Sequence, residues 1–217
     1  MDFAAARYNM VENQIRTNRV SDPGVIEAMR AIPRETFLPR PLRGMAYLDE
    51  DVPIGGGRFL IEPLVLARLL QGAEVRPADV VLAIGDATGW ASAILSRLAS
   101  TVVSLECDAE TVNRSAATLT EMGCDTVAVV RGRLSDGYAA QAPYDVIVFV
   151  GAVGEIPQGV ARQLADHGRL VAVVAGAAGA GRVTQIVRSG DSFSRRTMFD
   201  ASTPLLPGLD VAPRFRL

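Results

Sequence analysis

The sequence predicts an α/β fold: a doubly wound, mostly parallel sheet preceded by an N-terminal helical extension. Three observations predict it. Val80 to Ile84 is an unbroken apolar run, too short for a self-burying helix and too continuous for a strand with one wet face, which is how a central parallel strand reads. Trp90, Ala91, Ile94, Leu95 and Leu98 then fall at helical spacing, so Gly85 to Gly89 is a tight strand-to-helix turn. The same alternation of apolar runs and helical stretches recurs to about residue 175, and that cadence gives right-handed crossovers with helices on both faces.

The elements follow in order. Ala4, Tyr8, Val11 and Ile15 mark a helix over residues 4–17, and Asp22 with Pro23 opens a second one that buries Val25, Ile26, Met29 and Ile32. From Arg34 to Gly57 the chain reads as irregular, and Gly55-Gly56-Gly57 reads as a hinge, so residues 1–57 are a helical cover with a glycine-rich lid. A helix over Pro63 to Ala73 precedes the Val80 strand. Further strands are expected at Thr101 to Leu105, Thr126 to Val130, within Ala142 to Ala152, and at Gly168 to Val174, with helices at Ala109 to Met122 and Gln158 to Ala165. Residues 58–175 thus form the nucleotide-binding core. Val183 to Arg188 and Ser192 to Phe199 form an antiparallel pair within 176–217, and Ala175 to Arg182 is a connector because it lacks the lysine-serine ending of a phosphate loop.

Composition narrows the functions. At 217 residues, 49% hydrophobic, the chain can bury one core and reads as one domain. A net charge of −2 leaves no electrostatic footprint for nucleic acid, and no apolar run reaches membrane-spanning length, so the expectation is a cytoplasmic protein. Its one histidine, His167, and its two cysteines, Cys107 and Cys124, supply neither a catalytic triad nor a metal cluster, so no metal is expected.

The Gly85 turn fits one nucleotide chemistry better than another. A dinucleotide site wants a third glycine where Trp90 stands. Gly85-x-Ala87-x-Gly89 instead resembles the first motif of S-adenosylmethionine-dependent methyltransferases. Glu106 closes the next strand 21 residues beyond Gly85, the offset at which an acid can accept both ribose hydroxyls of an adenosine ligand.

Together MVENQIR (Met10 to Arg16), AMRAIPRETFLP (Ala28 to Pro39), AYLDEDVPIGGG (Ala46 to Gly57), the Gly85 turn, APYDVI (Ala142 to Ile147) and IPQGVARQL with GRLV (Ile156 to Val171) resemble the protein-L-isoaspartate (D-aspartate) O-methyltransferases. The resemblance implies a Rossmann-like methyltransferase fold, S-adenosylmethionine as cofactor, and a protein or peptide substrate carrying isoaspartyl residues whose side-chain carboxylate is methylated. It places Gly85, Asp86, Ala87 and Gly89 at the methionyl part, Glu106 at the ribose, Arg133 and Leu134 at the adenine, and Phe59, Leu60 and Ile61 over the methyl group. Arg58 would hold the substrate carboxylate.

The chain departs from the family pattern at several of these places. The usual acid before the turn is Ala83, and the usual second glycine is Ala87. Gly132-Arg133-Leu134 replaces glycine-aspartate-glycine, and Phe59-Leu60-Ile61 replaces a loop with two hydroxyls. Asp86 would then meet the methionine ammonium and Arg133 would stack on the adenine. Two other readings stay open: a catalytically silent binding protein, and a methyltransferase with a changed acceptor.

Overall fold

A computed structural model describes residues 1–176 and 180–210, so part of the glycine-rich stretch read as a connector lies outside the described residues. Its centre is a seven-stranded sheet: β3 (Val80–Ile84), β4 (Thr101–Glu106), β5 (Val127–Arg131), β6 (Tyr144–Val153), β7 (Leu164–Ala175), β8 (Gly181–Ser189) and β9 (Ser192–Asp200). The spatial order is β5-β4-β3-β6-β7-β8-β9, parallel up to β7 and antiparallel beyond it. The order reverses direction at β3, so the crevice beyond the ends of β3, β4 and β6 is the natural ligand site of such a sheet.

Helices cover both faces because the strands between them are apolar on both sides. α3 (Pro63–Ala73) begins at its proline and puts Leu66, Leu69, Leu70 and Ala73 fully into the core, together with α4 (Trp90–Leu95) and the N-terminal elements. The opposite face packs Leu82, Ile84, Leu105, Ile147, Phe149 and Leu164 into a second cluster. α5 (Ala109–Glu121) is capped by Asp108, whose side chain accepts from Thr111 N at 2.7 Å.

The N-terminal extension is α1 (Phe3–Asn9), a wider π-type turn over Met10–Ile15, and α2 (Pro23–Ala31), where the Asp22 side chain accepts from Val25 N at 2.9 Å. The expected hinge is instead a hairpin turn. β1 (Val52–Gly55) pairs with β2 (Arg58–Leu60) across Gly56 and Gly57, and all three glycines have positive φ, 95°, 60° and 71°. The boundary expected at residues 57 and 58 therefore falls inside one hairpin.

At α6 the structure also corrects the sequence reading. This helix is only Gln158–Ala161, and β7 starts at Leu164, where Leu164 pairs with Tyr144 of β6. Residues 163–165 continue a helical pattern, but the available strand edge takes them. His167 is exposed within β7 in a left-handed conformation, φ 62°, rather than at a helix end.

Candidate active site

The crevice is built from the ends of three strands and the hairpin. β3 ends in Gly85, whose φ of 84° turns the chain sharply toward α4. Asp86 sits inside that turn at 2% exposure: Oδ1 accepts from Gly89 N at 3.0 Å and Oδ2 from Ser92 N at 2.7 Å. It fastens the turn through these two backbone donors. Burial pushes its carboxyl up, and the same backbone donors pull it down.

Glu106, at the end of β4, is fully buried, and its Oε2 accepts from Cys107 N at 3.1 Å. Its Oε1 is ion-paired with Nη2 of Arg58, and the same Nη2 donates to the Gly85 carbonyl at 3.0 Å. Arg58 thus binds the protein's own carboxylate, a correction to the reading that gave it a substrate carboxylate. Burial is the main cause that raises the Glu106 carboxyl above the usual range, and Arg58 opposes it.

Phe59 is half-buried, while Leu60 and Ile61 are core residues at 1% and 3% exposure. One buried arginine that sequence reasoning missed holds this loop. Arg34 is 0% exposed, donates Nε to Ala46 O at 2.5 Å and Nη1 to Ile61 O at 2.7 Å, and lies 4.2 Å over the Trp90 ring. Burial lowers it to about 9. Nearby, Glu62 is pushed up to about 7, first by burial and then by Asp49 and Asp51.

Arg133 and Leu134, expected at the adenine, follow Gly132, whose N donates to Glu106 O at 2.9 Å. The Arg133 side chain is 82% exposed and pairs with Asp136 at 3.7 Å, and Leu134, at 2% exposure, belongs to the second core cluster. Ala87 is buried at 1%, and a Cβ on Gly89 would meet Leu119 at 3.2 Å, so both serve packing inside the turn.

The remaining wall comes from a segment with no periodic pattern in the sequence. Residues 201–209 run beside the end of β6: Ala152 N donates to Pro204 O at 2.9 Å, Leu206 N to Ala152 O at 2.8 Å, and Gly154 N to Leu209 O at 2.7 Å. Thr203 Oγ1 donates to Asp51 Oδ1 at 3.0 Å. Leu206 lies on bare backbone, since a Cβ on Gly85 would be 2.5 Å from its Cδ2 and one on Gly151 would be 2.7 Å away. Gly151 was the one available signal for this contact: it interrupts the fourth apolar run as Gly85 ends the first.

Gly57, Arg58, Phe59, Ile61, Gly85 and Leu206 line a single cavity, so the hairpin, the first turn and the expected acceptor loop do meet. That cavity is about 20 Å³, room for one water. A nucleoside site needs roughly 300 Å³ or more, which this cavity alone does not offer. Outside it lies a groove of about 510 Å³ between the hairpin and α5, lined by Gly55, Gly56, Arg58, Cys107, Thr111 and Pro207.

A switch-point crevice floored by a glycine turn and an acid at the next strand end defines a nucleotide-binding protein of the doubly wound α/β class. Comparison with known proteins makes the assignment specific. Residues 5–202 match the family described as protein-L-isoaspartate(D-aspartate) O-methyltransferase, and the chain belongs to that family. It is similar to the protein-L-isoaspartate O-methyltransferase of Methylorubrum extorquens, 37% identical over 97% of this chain and 92% of that one. Its counterpart in Methanoculleus marisnigri is 42% identical over 77% of this chain and 76% of its own. Among solved structures, a protein-L-isoaspartate O-methyltransferase superposes with a TM-score of 0.82 at 23% identity, covering 94% of this chain and 67% of the other. A Plasmodium falciparum relative, solved with S-adenosyl-L-homocysteine, superposes at 0.79 with 16% identity, covering 92% and 97%. These two likenesses establish the Rossmann-like fold.

Proposed function

We propose that the chain is an S-adenosylmethionine-dependent O-methyltransferase that methylates a side-chain carboxylate of isoaspartyl residues in damaged protein or peptide. The observation that carries this reading is the family match over residues 5–202, nearly the whole chain. The position of Glu106, a fully buried acid joined to the Gly85 carbonyl through Arg58, supports it. Glu106 would accept from the ribose, the Gly85 to Gly89 turn would lie under the methionyl part, and the Phe59 to Ile61 loop would flank the acceptor. The net charge of −2 and the absence, among the described residues, of a helix long and apolar enough to cross a membrane favour a protein substrate met in the cytoplasm.

The acceptor chemistry asks little of the side chains. A carboxylate is already ionised at neutral pH, so no strong general base is required, and a chain with one histidine suffices. What the protein must supply is alignment and exclusion of water, and the Phe59-Leu60-Ile61 loop is suited to the second. Titration calorimetry with S-adenosylmethionine and its demethylated product, followed by methyl transfer to an isoaspartyl peptide, tests the reading. Saturable binding and a labelled peptide are expected, and no binding at millimolar ligand overturns it.

A second reading, a family member that keeps the fold and binds a partner without catalysis, is favoured by one observation: Arg58 already holds the carboxylate that the ribose would use. No binding of S-adenosylmethionine at millimolar concentration would favour it.

A further inference from the structure

The crevice that the family would use for its cofactor is filled by this chain itself. Two side chains fill it: Leu206 where the Gly85 turn would meet the methionyl part, and Arg58 where Glu106 would meet the ribose. Glycines at Gly85 and Gly151 leave backbone bare for a close-lying ligand, and Leu206 lies on both. The carboxylate of Glu106 offers a buried hydrogen-bond acceptor, and the guanidinium of Arg58 takes it. Arg58 lines both the 20 Å³ cavity and the 510 Å³ outer groove, while Leu206 lines the inner space and its neighbour Pro207 the outer. Withdrawing Arg58 and lifting residues 206–207 would join the two spaces into one of ligand size.

We infer that residues 201–209 are a strap that occupies the cofactor crevice from within the chain, with Leu206 as its plug and Arg58 as its latch, and that an adenosyl ligand binds by displacing both. This rests on the methyltransferase reading above. The attachments suit a reversible device. Three backbone hydrogen bonds to Ala152 and Gly154, one bond from Thr203 to Asp51, and the buried side chains of Leu206 and Leu209 hold the strap. Arg58 stands on a hairpin whose turn is three consecutive left-handed glycines, the positions of lowest conformational cost for a backbone that moves. Opening the crevice would take Leu206 and Leu209 out of the second core cluster while the paired strands β3 to β9 keep their register.

A strap closed in about 90–99% of molecules weakens apparent affinity about 10- to 100-fold. Calorimetry with S-adenosylhomocysteine as the probe should therefore show that Leu206→Ala, and separately Arg58→Gln, tighten binding about 10-fold or more, with thermal unfolding confirming that each variant is folded. Hydrogen exchange on the unmodified protein needs no variant: saturation with the same probe should deprotect the amides of Leu206, Ala152 and Gly154. If the probe binds and those amides stay protected, or if neither variant binds more tightly than the unmodified chain, the strap is not in the ligand's way and the inference falls while the methyltransferase reading stands. If no form binds at millimolar probe, both fall together.

Discussion

Among the described residues the molecule carries two buried arginine-carboxylate pairs, one at each end of the sheet, and they are held in opposite ways. At the starting ends of the strands, Arg169 on β7 meets Asp79 at 2.5 Å and also donates Nε to Ala73 O at 3.0 Å and Nη2 to Glu74 O at 2.9 Å. Asp79 accepts in turn from Arg76 N at 2.9 Å. Both members are anchored to regular structure, and the pair closes the α3 end against the sheet. At the finishing ends, Arg58 reaches Glu106 from a glycine hairpin, and its further partners are one carbonyl and the Cys107 sulfur at 3.8 Å. Around the crevice, burial pushes Asp49, Asp51, Glu62, Asp86 and Glu106 toward their neutral forms. One end of the sheet has its charges satisfied, and the other keeps charge at a cost, as function-bearing ends of α/β sheets do.

The largest test of that contrast is Arg169→Met. It strands Asp79 among carbonyls, and a loss of about 3–5 kcal/mol, enough to unfold much of a marginal domain, is expected in urea denaturation. Arg58→Met should cost less, about 1–2 kcal/mol at pH 8. Glu106 is already pushed up by burial, and losing Arg58 raises it further, so the acid escapes by taking a proton. The sign is fixed: the penalty shrinks as pH falls and the acid takes up a proton, and grows as pH rises through the raised value. Equal losses for the two variants, independent of pH, would mean that both pairs are simply structural welds.

Glu62 gives a smaller effect of known direction. Its folded value of about 7 lies above the unfolded 4.5, so the folded state binds the extra proton; its relative stabilisation is full below 4.5 and is lost as pH rises through 7. Glu62→Gln should flatten that slope by about 1 kcal/mol after allowance for solvent screening of a half-exposed group. Thermal unfolding at pH 5 and pH 8 measures it, and an unchanged slope would move the strain to Asp49 and Asp51. Smallest is Cys107→Ser, which alters two weak sulfur contacts, to Arg58 and to Glu106, and should change stability by less than about 0.5 kcal/mol in the same assay. A larger loss would make the sulfur a true part of the latch.

Much of the scaffold could be read from the residues. Pro63 fixes the start of α3, Asp22 and Pro23 that of α2, and the apolar run ending at Gly85 gives β3 to the residue, because each of these signals is local. The misreadings share one cause. α6 stops short because Leu164 finds Tyr144, and the glycine triplet becomes a turn because Val52 finds Leu60, both tertiary events. The site was legible as positions and less so as contacts. Gly85, Glu106, Arg58 and the loop at Phe59 do gather in one place, yet nothing local says that Arg58 would turn to Glu106. Nor does any pattern announce a fully buried Arg34, or a leucine at 206 that closes on two distant glycines.

Because Leu206 is joined to the crevice it covers by the intervening chain, its local concentration there is set by tether length and not by how much protein is present. Diluting a sample a thousandfold would leave the coverage untouched, where a separate inhibitory subunit would have washed away.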